Sequence, residues 1–590
     1  MHANAGSNAS NATRRRRNEM KDKREIRSVA WMIAFLVSPT LLGLFLADNI
    51  SSSDFRVMAN TTAGDIAAYL LYILGGMACY AMGLAVFKRK TFFYIATLTF
   101  VPAGIDIVHQ ILNGATTSLL FLYTCAIAEA GELWELFTTY WWVLGTAIAL
   151  WISYLILNRK HVKNEYIIAN RRLRYVIAAV CLVFYLVFGH LEAVRQSNPA
   201  NTFIYGAEVV RLQRTIKIAD KTLRDFRFGA EYKKEDATQS EESEDLVVFL
   251  IGETTRYDHW HLNGYGRETS PMLDARAGQI VSFDSCYSVS NLTAVSVPMM
   301  LSRATPDELG RLYEEKSLTE VFQEAGYRTA WIADQSFTNE QLLRISSACD
   351  ESYYFEAGNK LQRSFMDSVL LPPLRQEIAK AGNRKEMIVI HSLGCHFKYS
   401  ARYPERFSVF LPDLKEKDIR AIIENMDLSS GRLIRDRLIL NEIRDIFVNS
   451  YDNAILYTDW FIDAIIKELE QTGRRAVLVY VSDHGENLLD DERNMLLHGS
   501  YYGSRYEYHV PLFIWTSSQY RDAYPEKIRA MEANKNKVIS TMHLFHSLLD
   551  LGHVRFHGWE QERSVCSDSC REENPVIGLD ANLKCKEIPK

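Results

Sequence analysis

Net charge is scarce in this chain: 67 Lys and Arg stand against 72 Asp and Glu over 590 residues, a formal charge of -5 at pH 7. A balance so close to neutral argues for neither a nucleic-acid partner nor an acidic tail. Internal repeats and coiled-coil heptads are also missing, which excludes a solenoid or a fibrous helix. No small-residue cleavage site follows a short apolar core near the N-terminus. The first 24 residues are small and polar, then basic at 14–17 and 21–24, and they read as a cytosolic tail instead of a cleaved signal peptide. Between residues 91 and 158 there is no Lys or Arg at all.

That last gap gives meaning to five apolar stretches, at about 28–47, 66–87, 91–112, 136–157 and 173–190, each near the roughly 20 residues that a bilayer crossing requires. The loop after the second carries Lys88, Arg89 and Lys90; the loop after the fourth carries Arg159, Lys160, Lys163, Arg171, Arg172 and Arg174. By the positive-inside rule these loops and the N-terminus face the cytosol, and everything after about residue 190 lies outside. Buried core helices are the alternative, and the regular alternation of charge speaks against it. The expected division is a basic tail at 1–24, a five-span transmembrane domain at 25–192, an amphipathic bridge and linker at 193–245, an α/β domain at 246–560 and a Cys-containing tail at 561–590. Segment 116–139 carries Glu129, Glu132 and Glu135 beside apolar residues. It reads equally as a helix at the outer interface or as a solvated loop.

Of the nine cysteines, Cys79, Cys125 and Cys181 fall in hydrophobic segments and serve as small apolar residues. Cys286, Cys349, Cys395, Cys566, Cys570 and Cys585 remain. In an oxidising compartment a bridge from Cys566 to Cys570 or Cys585 is the first expectation.

The α/β part is organised around residues 476–486, AVLVYVSDHGE. Six apolar residues read as a strand buried on both faces, and the run stops at Ser482, Asp483, His484 and Gly485. A carboxylate and an imidazole at the carboxyl end of such a strand can hold zinc or a harder divalent metal, although an isolated Asp-His pair also reads as a helix cap. Residues 246–256, LVVFLIGETTR, have the same form and offer Glu253. A small-residue segment at 291–298, NLTAVSVP, enters a helix and offers the hydroxyl of Thr293. A hydroxyl at a helix N-terminus beside a divalent cation is poised to ionise. Residues 327–333 and 386–391 are further expected strands, the apolar stripe over 454–469 a helix packed on the sheet, and 538–551 another helix, with His543 and His546 structural.

The motifs GETTR (252–256), NGYGRETSP (263–271), TAVSVP (293–298), YDNAILYTD (451–459), SDHGE (482–486) and LHG (497–499) follow one another in an order that resembles the membrane-bound phosphoethanolamine transferases of Gram-negative bacteria, within the alkaline phosphatase/sulfatase superfamily. The resemblance implies an N-terminal five-helix transmembrane bundle in the inner membrane and a periplasmic α/β domain with a mostly parallel central sheet. It implies zinc held by Glu253, Thr293, Asp483 and His484, with Thr293 also the nucleophile, and phosphate contacts from His391, His396 and His498. His391 or His396 would also serve the leaving oxygen as proton donor. The implied donor is phosphatidylethanolamine and the acceptor a lipopolysaccharide, through lipid A or an inner-core sugar. Many such proteins flank the nucleophile with two cysteines; Val289 and Met299 stand there in this chain. A glycerol-phosphate transferase of the same superfamily would keep this metal site. A sulfatase would need Cys or Ser at 293 with a following Arg, and no Arg occurs within the next six residues. His259 and His261 read as surface or supporting residues.

Overall fold

The computed structural model describes residues 63–98, 164–188, 201–223, 225–233, 245–335, 340–355, 366–416, 437–490, 496–499, 503–580 and 582–590, with isolated positions between 119 and 156. The chain falls into two units, residues 1–118 with 134–207, and residues 119–133 with 208–590.

In the first unit helices α1 (Ala63–Val86) and α2 (Arg171–Phe188) coincide with the second and fifth expected spans. They pack on each other, and Tyr185 donates to the carbonyl of Gly75 at 2.7 Å. Helix α2 leaves Tyr175, Val176, Val180, Val183 and Leu186 exposed. Among the described residues no helix is long and apolar enough to cross a membrane. The first expected span and most of the third and fourth lie outside the described residues.

The second unit is built on an eight-stranded sheet. Its strands are β1 (Asp245–Gly252), β2 (Ile280–Tyr287), β3 (Arg328–Ala333), β4 (Glu351–Tyr354), β5 (Glu386–His391), β6 (Arg475–Ser482), β7 (His509–Thr516) and β8 (Ile539–Ser540), in the order β8-β2-β7-β6-β1-β5-β3-β4. β1 pairs in parallel with β5 and β6, and β3 with β4 and β5; β7 alone runs against both of its neighbours, β2 and β6. All eight residues of β1 and of β6 are buried, as continuous apolar runs require when both faces of a sheet are covered. The short helix α3 (Thr293–Met300) follows β2, and the long helix α4 (Arg437–Gln471) feeds β6 and covers one face of the sheet. In α4, Ile455, Phe461, Ile462, Ile465 and Leu469 pack with Val248, Leu250 and Leu478. A one-turn helix, α5 (Arg505–Tyr508), leads directly into β7.

Two expectations change here. The helix predicted over 538–551 begins only at His543, as α6 (His543–Leu551), because Ile539 and Ser540 pair with Cys286 and Tyr287 as the edge strand β8. The expected bridge near the C-terminus is not formed: Cys566, Cys570 and Cys585 are all free thiols. Cys566 and Cys570 are buried in the same apolar cluster as Leu548 and Val565, where they serve as small apolar residues. Cys585 lies exposed on a two-stranded hairpin that pairs Cys585–Glu587 with Ile577–Leu579.

Candidate active site

The register of the sheet pairs Gly252 with Ser482, so Glu253 and Asp483 leave it side by side. Asp483 Oδ1 accepts the backbone N–H groups of Thr254 at 3.1 Å and His484 at 2.8 Å. Its Oδ2 has no hydrogen-bond partner although it is buried. His484 Nδ1 lies 2.9 Å from the carbonyl of Gly485. That nitrogen therefore carries the proton, and Nε2 presents its lone pair to the site.

Thr293 is the first residue of α3, with Leu292 capping it in an extended conformation. Its hydroxyl oxygen stands 3.1 and 3.2 Å from the two oxygens of Glu253 and 3.1 Å from His484 Nε2. His484 Nε2 is also 3.3 Å from Asp483 Oδ2 and 3.5 Å from Glu253 Oε1. The structure thus brings together all four residues expected as ligands.

Glu253 and His484 compete for one hydroxyl proton with Asp483 close by, and the electrostatics reflect it. Burial, and then Asp483, push the Glu253 carboxyl well above the usual carboxylate range. Burial works the same way on Asp483, but His484, the nearby Thr293 hydroxyl and a backbone N–H outweigh it and hold this carboxyl below its ordinary value. Burial drives His484 down to about 4, so its imidazole is neutral. Two carboxyl groups and an imidazole lone pair at these distances favour a cation, and a set of oxygen and nitrogen donors suits a divalent metal. Glu253, His484 and His498 each offer a ligand atom within 4.8 Å of the others.

His498 packs against His484, ring centroids 4.1 Å apart, and His396 lies edge-on to His498 at 6.2 Å. Burial alone would lower His498, yet Glu486, 3.0 Å from its Nδ1, keeps it above its ordinary value. His396 Nδ1 is 2.6 Å from the carbonyl of Phe397, and burial followed by Arg402 drives the ring to about 3. His391 ends β5 and is enclosed beside Trp331; its Nε2 lacks a hydrogen-bond partner and burial lowers it to about 4. His259 is held by Asp452 at 2.6 Å and His261 by Asp274 at 2.7 Å, both supporting contacts.

Sequence reasoning missed several contributors. Gln335 donates to Glu253 Oε2 and to the carbonyl of Ser392, each at 3.0 Å. Glu486, inside the SDHGE motif, was legible as a residue but not as the partner of His498. The YDNAILYTD motif proves to be the brace of the other motifs. Tyr451 receives the N–H of Arg256 at 2.8 Å and donates to the carbonyl of Thr254 at 2.6 Å, while Asp452 holds His259 and Arg267. Asp459 receives the N–H groups of Met272 and Leu273, each at 2.9 Å.

Residues 245–554 match the family model described as Sulfatase. The phosphoethanolamine transferase EptC of Escherichia coli O18:K1:H7 is 28% identical over 339 residues, 56% of this chain and 55% of that protein. The chain spans about half the length of the curated relatives it matches. The crystal structure of the C-terminal periplasmic domain of Escherichia coli EptC in complex with Zn is similar at a TM-score of 0.50 and 28% identity, over 58% of this chain and 91% of that one. The integral membrane lipooligosaccharide phosphoethanolamine transferase A of Neisseria meningitidis shares the fold at a TM-score of 0.66 and 20% identity, over 93% of this chain and 99% of that one.

Proposed function

The chain belongs to the sulfatase family through residues 245–554, and from that premise we propose that it moves phosphoethanolamine from phosphatidylethanolamine to a lipopolysaccharide acceptor, lipid A or an inner-core sugar. The observation that carries this reading is the hydroxyl of Thr293, set at the start of α3 within 3.2 Å of Glu253 and 3.1 Å of His484. A sulfate-ester hydrolase of the family would need Cys or Ser at that position. The resemblance of the six motifs supports the donor and the acceptor.

Glu253, Thr293, Asp483 and His484 would hold zinc, which when bound supplies the positive charge that makes a threonine hydroxyl acidic enough to attack. Glu253, with both of its oxygens near the hydroxyl, orients it and receives its proton. The Thr293 oxygen bonds to phosphorus as the bond to the diacylglycerol oxygen breaks, and the backbone at the amino end of α3 favours the phosphoryl charge. His498, with Glu486 favouring its protonated form, gives the leaving oxygen its proton. In the second half the acceptor oxygen bonds to phosphorus as the bond to Thr293 breaks: the acceptor hydroxyl gives its proton to His498, left neutral by the first half, Glu253 returns its proton to Thr293, and His396, beside His498, accepts a hydrogen bond from the bound acceptor. His391, at the end of β5 with its Nε2 unpartnered, is the alternative to His498 as a phosphate contact and proton donor to the leaving oxygen. The exposed apolar residues of α2 and the alternating basic loops support a multi-pass inner-membrane anchor of five spans, with the α/β unit periplasmic.

Incubation with phosphatidylethanolamine and no acceptor is expected to leave phosphoethanolamine on the peptide containing Thr293, read by mass spectrometry. Thr293→Ala loses the adduct and the transfer, whereas Thr293→Ser keeps part of both. A glycerol-phosphate adduct would move the donor to phosphatidylglycerol, and full transfer by Thr293→Ala would sink the covalent mechanism.

A further inference from the structure

Because β7 alone runs against its neighbours, it begins at the edge of the sheet where β2 and β6 end. The turn that feeds it, Ser504 followed by α5, therefore stands between the loop that leads to Thr293 and the loop that carries Asp483 and His484. It is bonded to both. Tyr506 and Glu507 accept, through their carbonyls, the N–H groups of Glu486 at 3.1 Å and Gly485 at 2.8 Å, and the carbonyl of Tyr508 accepts the N–H of Ser288 at 2.7 Å. A methyl at Gly485 would collide with the Tyr506 carbonyl oxygen, so the approach is one that only glycine permits. Ser504 Oγ donates to Asn487 at 2.6 Å.

The side chain of Glu507 completes this clip. It is fully buried, with Oε1 accepting the N–H of Ser504 at 3.0 Å and Oε2 accepting Asn291 Nδ2 at 2.6 Å. Asn291 is itself 4% exposed and lies two residues before Thr293. Ser288 makes the matching tie from the other side, its hydroxyl donating to the carbonyl of Asp483. Short, charge-assisted bonds between buried groups are stiff as well as strong.

We propose that Glu507 is a positioning residue which, through Asn291, sets the place of the Thr293 hydroxyl relative to Asp483 and His484, whose loop the same turn holds by its backbone. The inference rests on Thr293 being the nucleophile. Glu507 itself does not touch substrate. Its loss lets the nucleophile loop drift while the ligand pair keeps its strand-end anchors, and a misplacement of about 1 Å slows chemistry by about 10²-fold.

The test uses the full chain in detergent and three variants: Glu507→Ala, Asn291→Asp, and Asn291→Asp combined with Glu507→Gln. Asn291→Asp alone sets two carboxylates face to face. In the double variant the new amide donates to the new carboxylate, so the bond is remade with its polarity reversed and the charge of the site kept. Adduct formation on Thr293 should fall about 10²-fold in each single variant, with KM for the donor lipid changed much less, and most of the rate should return in the double. Hydrogen exchange at 288–295 should rise in the singles and return to the wild-type level in the double, while exchange in β1 and β6 stays the same. If Glu507→Ala fails to fold, the double variant decides alone. Glu507→Ala within about twofold of wild type, or a double variant no better than Asn291→Asp, overturns the proposal. Wild type without any adduct would count against the transferase reading, and the exchange data would still judge Glu507.

Discussion

Gly394 adopts φ +46°, and a methyl there would meet the backbone N and O of Glu253 at 2.8 and 2.9 Å. The turn after β5 is thus laid directly on the residue that opens the proposed ligand set, and the N–H of Cys395 donates to the Glu253 carbonyl at 3.0 Å. Gly394→Ala combines an unfavourable backbone angle with a backbone clash that no rotamer can relieve. It is expected to weaken retention of the proposed zinc by at least about tenfold, read by competition with a chelator, while hydrogen exchange in β6 stays as in wild type. Retention equal to wild type would show that this turn does not hold Glu253 in place. At the residue scale the sequence was most informative where a motif ends a strand: Glu253, Asp483 and His484 all stand at the first turn after a buried apolar run. Gln335, Asn291 and Glu507 were hidden because each acts across the fold, and Asn291 and Glu507 are 216 residues apart in the chain.

Among the elements, α6 has two histidines whose rings are pushed down by burial, His543 to about 4 and His546 to about 3. Both bond to backbone, His546 Nδ1 accepting the N–H of Glu560 at 3.1 Å and His543 Nε2 lying 3.2 Å from the carbonyl of Arg571. Below their ordinary value of about 6.5 the unfolded chain takes up protons that the folded one refuses. The stability they support is complete above about pH 6.5 and is lost as the pH falls toward 4 and then 3. Denaturant titrations between about pH 6 and 4.5 should show His546→Gln lowering the slope of stability against pH by about 1 kcal/mol per pH unit. An unchanged slope would mean that His546 is accessible to protons in the folded state. Continuous apolar runs made β1, β5 and β6 legible as strands, and the period of α4 was plain in its Ile and Leu stripe. The direction of β7 was not legible, since HVPLFIWT buries equally well in either sense. Nor was β8, a two-residue pairing too short to leave a pattern.

On the scale of the whole molecule, reporter fusions give the first decision. A fusion after residue 245 is expected to report a location outside the cytosol, and one in the loop at 88–90 a location inside it. A cytosolic signal from the former would remove the lipid donor from consideration. The sheet has a further consequence, for the order in which the protein can come into being. β1 is central, yet its neighbours β5 and β6 begin only at Glu386 and Arg475, and the reversed strand behind the clip begins at His509. During synthesis the first strand of the sheet therefore waits, apolar and open on both edges, for partners that emerge far downstream, which slows folding and exposes the nascent chain to aggregation. The proposed ligand set is completed late in maturation for the same reason, because Glu253 meets Asp483 and His484 only when the sheet has closed around β1.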